Sequence, residues 1–84
     1  MKGVIIMTVY VVMHGVNYEG ENFIGVYSTM EKAKNKIAEI IREDLCWNNI
    51  TEKQIKDWLQ TKNNTFYVYD DEYYYVLTER VDKD

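Results

Sequence analysis

Cysteine occurs once, at Cys46, histidine once, at His14, and proline not at all. A lone cysteine rules out an internal disulfide. Small secreted domains usually depend on disulfides, so the expected compartment is a reducing cytoplasm, that of a bacterial host cell. One histidine among scattered acids falls short of zinc-type ligand spacing. No metal and no other cofactor is expected. Long apolar runs are also missing. The stretch from Gly3 to Met13 is too short to span a bilayer, and no small-residue cleavage site follows it. It reads as a strand, and no membrane contact is expected. Cations are scarce as well: ten Lys and Arg stand against fourteen Asp and Glu, a formal net charge of −4. Nucleic-acid binders draw most of their affinity from basic surfaces that release counterions, so direct DNA or RNA binding is not expected. No repeat, linker or low-complexity segment interrupts the chain.

What is present is a globular composition. Hydrophobic residues make up 46% of the 84, with eight Tyr, eight Ile and nine Val, which excludes disorder. A chain this short is one domain and buries only about 60–65% of its unfolded surface, so its core is thin. Lys outnumbers Arg eight to two, and Ile, Asn and Tyr are frequent. With the missing proline, this usage fits AT-rich codons and a low-GC bacterium or one of its phages.

Val4 to His14 is apolar at both alternating sets of positions, as in a central strand covered on both faces. Residues 15–22 form a turn-rich cluster, and Phe23 to Tyr27 reads as a second strand after a fairly long loop. Ser28-Thr29-Met30-Glu31 reads as a capping box opening a helix. Met30, Ala33, Ile37, Ile40, Ile41 and Leu45 give that helix one apolar stripe, and it is expected to end near Trp47-Asn48-Asn49. Thr51-Glu52-Lys53-Gln54 is a second capping box, with Ile50 and Ile55 placed as a hydrophobic staple. That helix ends near Leu59. Thr65 to Tyr69 and Tyr73 to Leu77 read as two strands joined by a tight turn at Asp70-Asp71-Glu72. The expected architecture is α+β, in the order ββααββ: a four-stranded, mostly antiparallel sheet with two helices on one face.

Val9-Tyr10-Val11-Val12, His14-Gly15, Tyr18-Glu19-Gly20, Ile24-Gly25-Val26-Tyr27-Ser28 and Glu31-Lys32-Ala33 resemble a recurrent small domain of phages and prophages, a family of unknown function. The resemblance covers the first half of the chain. It implies a phage-type accessory protein and transfers no active site. Small acidic phage proteins of this kind, anti-CRISPR proteins among them, inhibit a host factor by occupying its working surface.

No catalytic motif emerges. A nucleophilic pair of Cys46 and His14 would need hydrogen-bond reach and an oxyanion hole, and Cys46 beside Leu45 and Trp47 reads better as a small buried hydrophobe. Asp70, Asp71 and Glu72 lack the length and glycine of a calcium loop. They read as a solvated turn and as gatekeepers for the following strand.

The tyrosines are the most informative feature. Tyr67, Tyr69, Tyr73, Tyr74 and Tyr75 crowd one hairpin, and alternation sends some to each face of the sheet. Helices cover only one face. Tyrosine is enriched at interfaces because it buries area while keeping a polar tip. The expected partner-binding residues are Tyr67, Tyr69, Tyr73 and Tyr75, with Asp70, Asp71 and Glu72 at the turn. Asn17, Tyr18 and Glu19 form a second candidate surface. The expected function is steric blocking of a host protein that carries a basic, nucleic-acid-binding type of face. A homodimer through the tyrosines is the other way to cover them. The alternative function is an oligomeric sponge for a small nucleotide signal, with Lys32 and Lys36 on the phosphates. Lys32, Lys34 and Lys36 together would make the first helix electropositive at its start.

Overall fold

A computed structural model of the chain describes residues 5–17, 19–43, 50–69 and 71–83. The elements are β1 (Ile5–Val16), β2 (Gly20–Tyr27), α1 (Met30–Glu43), α2 (Glu52–Leu59), β3 (Thr65–Tyr69) and β4 (Glu72–Lys83). The strands form one sheet in the order β2-β1-β4-β3, antiparallel throughout. The expected α+β architecture is the one found.

The strands run further than the turn-forming residues suggest. β1 and β2 stay paired through the glycine-rich stretch, from Met13 opposite Phe23 to Val16 opposite Gly20. The long loop expected over 15–22 shrinks to a turn at 17–19. Gly20 makes this turn feasible, because its φ of +93° suits a residue without a Cβ. A second ladder fixes the same segment: Gly15 and Val16 pair with Tyr73 and Glu72 on the other side of β1. Residues held between two strands satisfy their backbone groups there, and this outweighs turn propensity. β4 likewise continues past Leu77 to Lys83, because β1 offers a partner along its whole length.

The second capping box forms as read. The Gln54 amide donates to Thr51 Oγ1 at 3.2 Å, and the Thr51 amide donates to Gln54 Oε1 at 2.7 Å. The first box does not form at Ser28. The Lys32 amide donates to Thr29 Oγ1 at 3.1 Å, so Thr29 is the N-cap. Ser28 and Thr29 are both competent caps. β2 ends at Tyr27, and the chain uses both residues to turn before α1 begins at Met30. The third helical residue is then Lys32, which cannot return the bond; its ammonium donates to Ser28 Oγ at 3.4 Å instead. Thr29→Ala is therefore expected to cost about 1 kcal/mol, while Ser28→Ala costs no more than a few tenths as an exposed change. Urea-unfolding midpoints of the two variants check this order.

α1 lays Ala33, Ile37, Ala38 and Ile41 on the sheet, with Met30 and Ile40 at the margin. Leu45 and the helix end expected near Trp47 lie outside the described residues. α2 contributes Ile55 and Trp58, and the sheet answers with Val12, Val76, Tyr74, Phe66 and Val68. Trp58 meets Phe66 edge to face at 5.3 Å between ring centroids.

Lys34 departs from the electropositive helix start expected of Lys32, Lys34 and Lys36 together. It is only 4% exposed. Its ammonium donates to three backbone carbonyls, Trp58 at 2.8 Å, Thr61 at 2.9 Å and Asn63 at 3.0 Å. It also lies 4.2 Å from the Trp58 ring centroid. A lysine on α1 thus caps the C-terminal end of α2 and holds the segment that leads into β3. Burial pushes its pKa below the usual lysine value. No helix among the described residues is long and apolar enough to cross a membrane.

Candidate functional site: the open face of the sheet

Both helices cover one face, and the core residues of the strands come from that face. The other face is built by alternation and register. Glu21, Gly15, Tyr73 and Tyr67 form one row across all four strands; Phe23, Met13, Tyr75 and Thr65 form the next. Val26, Val11 and Leu77 continue it over three strands. Phe23 is 64% exposed, Tyr67 63% and Val26 52%, with Leu77, Val81 and Met7 near 40%. Exposed apolar side chains thus continue across this face from strand to strand, the kind of surface that, when large, is uncommon on a monomer.

The tyrosines on this face are held in place. A Cβ added to Gly15 would sit 2.5 Å from Tyr73 Cζ, so the Tyr73 ring lies directly against the Gly15 backbone. Tyr73 meets Tyr67 at 5.4 Å and Tyr75 at 5.7 Å between centroids, in tilted arrangements. The Tyr73 hydroxyl donates to Glu21 Oε2 at 3.4 Å. Burial, and then a hydrogen bond to Glu21 and its negative charge, push the Tyr75 phenol up to about 12. Burial and Glu21 raise Tyr73 as well.

The predicted interface residues divide. Tyr67 and Tyr69 are exposed, Tyr73 and Tyr75 half-buried on the open face, and Tyr74 belongs to the core. Glu72 is the first residue of β4 rather than a turn residue. Its Oε2 lies 2.7 Å from His14 Nε2, and the His14 ring stacks on Tyr74 at 4.6 Å. That pair is an anchor at the strand end, and of the two described residues of the acidic run Asp71 is the one exposed in the turn. The Asn17 amide donates to the Asp71 carbonyl at 2.8 Å, which brings the two candidate surfaces, around 17–19 and around 71, to the same end of the sheet. Tyr18, Asp70 and Cys46 lie outside the described residues. Among the described residues, no cluster of three or more His, Cys, Asp or Glu could hold a metal ion.

Sequence reading missed Glu21, Phe23, Met13, Val26 and Leu77 as members of this surface. Phe23 and Glu21 fall at alternate positions of β2, a signal visible once the strand is taken back to Gly20.

Lys32 and Lys36 do come together. With Tyr27, Asn35 and Glu39 they line a shallow cleft of about 290 Å³ on the helix side. Lys36 is already paired with Glu39 at 3.2 Å. Lys34, buried elsewhere, does not join them in presenting a basic helix start.

Residues 7–83 match the model of a family described as a domain of unknown function, DUF7336. No curated protein and no solved structure matches the chain. The chain belongs to that family.

Proposed function

We propose that this member of the family is a non-enzymatic binding protein that blocks a protein partner with the open face of its sheet. The single observation that carries the reading is the group of exposed and half-buried aromatics, Phe23, Tyr67, Tyr73 and Tyr75, in two neighbouring rows on the face opposite the two helices. Rigid aromatics of this kind supply the anchors of protein interfaces. The charge on that face supports one sort of partner. Around the tyrosines it carries Glu21 and no described Lys or Arg, with Glu79 further along β4 and Lys83 at the strand end on the same alternation. A nucleic-acid stacking platform needs cations beside its aromatics, so this face suits a basic protein surface. A second copy would offer the same acidic face, which disfavours self-association relative to a basic partner. The fitting biological role is that of a phage-type accessory factor, an anti-CRISPR or other anti-defence inhibitor, acting inside a bacterial host on a protein with a nucleic-acid-binding face.

The second reading, a nucleotide sponge, draws on the cleft where Tyr27 stands beside Lys32 and Lys36. Calorimetry against a panel of cyclic nucleotides and related signals separates the two. The expected result is no heat of binding at micromolar ligand. Micromolar affinity that falls in a Lys32→Ala, Lys36→Ala double variant would put the sponge first.

A further inference from the structure

We propose that Glu21, Tyr67, Tyr73 and Tyr75 form a recognition site for a guanidinium group, an arginine side chain of the partner. The inference rests on the open-face reading and deepens it.

Four observations converge. The Tyr73 ring lies along the Gly15 backbone and is half-buried rather than enclosed. Tyr67 and Tyr75 flank it at 5.4 Å and 5.7 Å. The Glu21 carboxylate stands at the phenol end, accepting from Tyr73 at 3.4 Å. Among the described residues, Glu21 has no lysine or arginine partner, although other acids on the chain do.

A cation above an aromatic face is attracted by the ring quadrupole. Here the attraction of the ring is joined to that of a full negative charge. The Tyr73 phenol holds the carboxylate at one oxygen but leaves lone pairs open, since an ionised carboxylate offers about four acceptor sites. Guanidinium fits better than ammonium. It is planar, stacks on a tyrosine face, sheds water more readily and presents a fork of N–H donors to a carboxylate. Burial first, and the Glu21 charge after it, raise the phenols of both Tyr73 and Tyr75.

The test uses N-acetyl-arginine amide as the probe and the neutral isostere N-acetyl-citrulline amide as the control. Tyrosine ring shifts are followed by NMR on the full chain at pH 7. The expected result is saturable shifts at Tyr73 and Tyr75, with a dissociation constant on the order of a few millimolar for so small a ligand. Citrulline amide should shift them at least tenfold more weakly. Glu21→Gln should weaken arginine amide at least tenfold and lower the alkaline midpoint of Tyr75 from about 12. Tyr67→Ala, at an exposed position, serves as the second variant should Glu21→Gln unfold, and it should also weaken binding. Equal response to citrulline amide, or affinity unchanged in both variants, would overturn the proposal. A protein partner still captured by a chain that ignores arginine amide would sink this site while leaving the open-face reading intact.

Discussion

Replacing Lys34 by methionine is expected to lower the unfolding free energy by about 3 kcal/mol, a drop in Tm of about 15 °C for a domain this small. Methionine keeps the apolar stem and removes the ammonium. The Thr61 and Asn63 carbonyls then lose their donor, and the Trp58 carbonyl loses one of three, keeping the Thr61 amide at 3.0 Å and the Thr61 hydroxyl at 2.7 Å. Each buried acceptor left unsatisfied costs about 1–3 kcal/mol. The costs do not simply add, because the buried Trp58 carbonyl keeps two donors and the other two bonds are only part-buried. The interaction with the Trp58 ring is lost as well. Lys32→Met, at an exposed position on the same helix, should change stability by no more than about 0.5 kcal/mol. Thermal melting followed by far-UV circular dichroism compares the two. Equal, small effects would mean that α2 is held by its apolar contacts and its N-terminal cap alone.

Lys34 also marks the limit of what the sequence made legible. Its spacing from Met30, Ile37, Ala38 and Ile41 places it on the apolar stripe, so its burial was readable in principle. Its acceptors were not. They lie 24 to 29 residues further on, at a helix end that tertiary packing brings back to α1. The Thr51 box was legible because all its partners lie within four consecutive residues. The start of α1 was ambiguous because two adjacent hydroxyl residues compete, and only the end of β2 decides between them. The four-stranded α+β plan followed from alternation and periodicity. Membership of the open face did not, since it needs the register across three strand pairs. A one-residue slip exchanges the faces, and two of these pairs carry irregularities, at Val12/Met13 and between Tyr67 and Tyr69. Tyr73 over Gly15, and Glu21 beside Tyr73, exist only in the observed register.

Changing Phe23 and Tyr67 together to lysine should abolish partner binding while leaving the fold intact. Both side chains are nearly two-thirds exposed, so their loss removes little from the core. Stability should stay within about 1 kcal/mol for two surface changes. Binding should respond far more. Central aromatic anchors of an interface are worth about 2 kcal/mol or more each on truncation, and two new cations would face a basic partner with like charge. The combined loss should exceed about a hundredfold in affinity. Binding by the unaltered chain should also weaken as salt rises, because screening acts on the acidic face and its basic partner. Phe23 and Tyr67 lie on opposite edge strands, β2 and β3, so loss of binding on both changes implicates the width of the sheet rather than one hairpin.

The most direct test of the open-face claim is quantitative capture from bacterial host lysate, run side by side with the unaltered chain and with the Phe23→Lys, Tyr67→Lys variant. Bound proteins are identified by mass spectrometry, and the retained partner is then titrated as a purified protein. The prediction is one stoichiometric partner with a basic surface, bound by the unaltered chain and lost by the folded variant. Retention of the same partner at equal affinity by the variant would contradict the account, because the contact would then lie on some other surface.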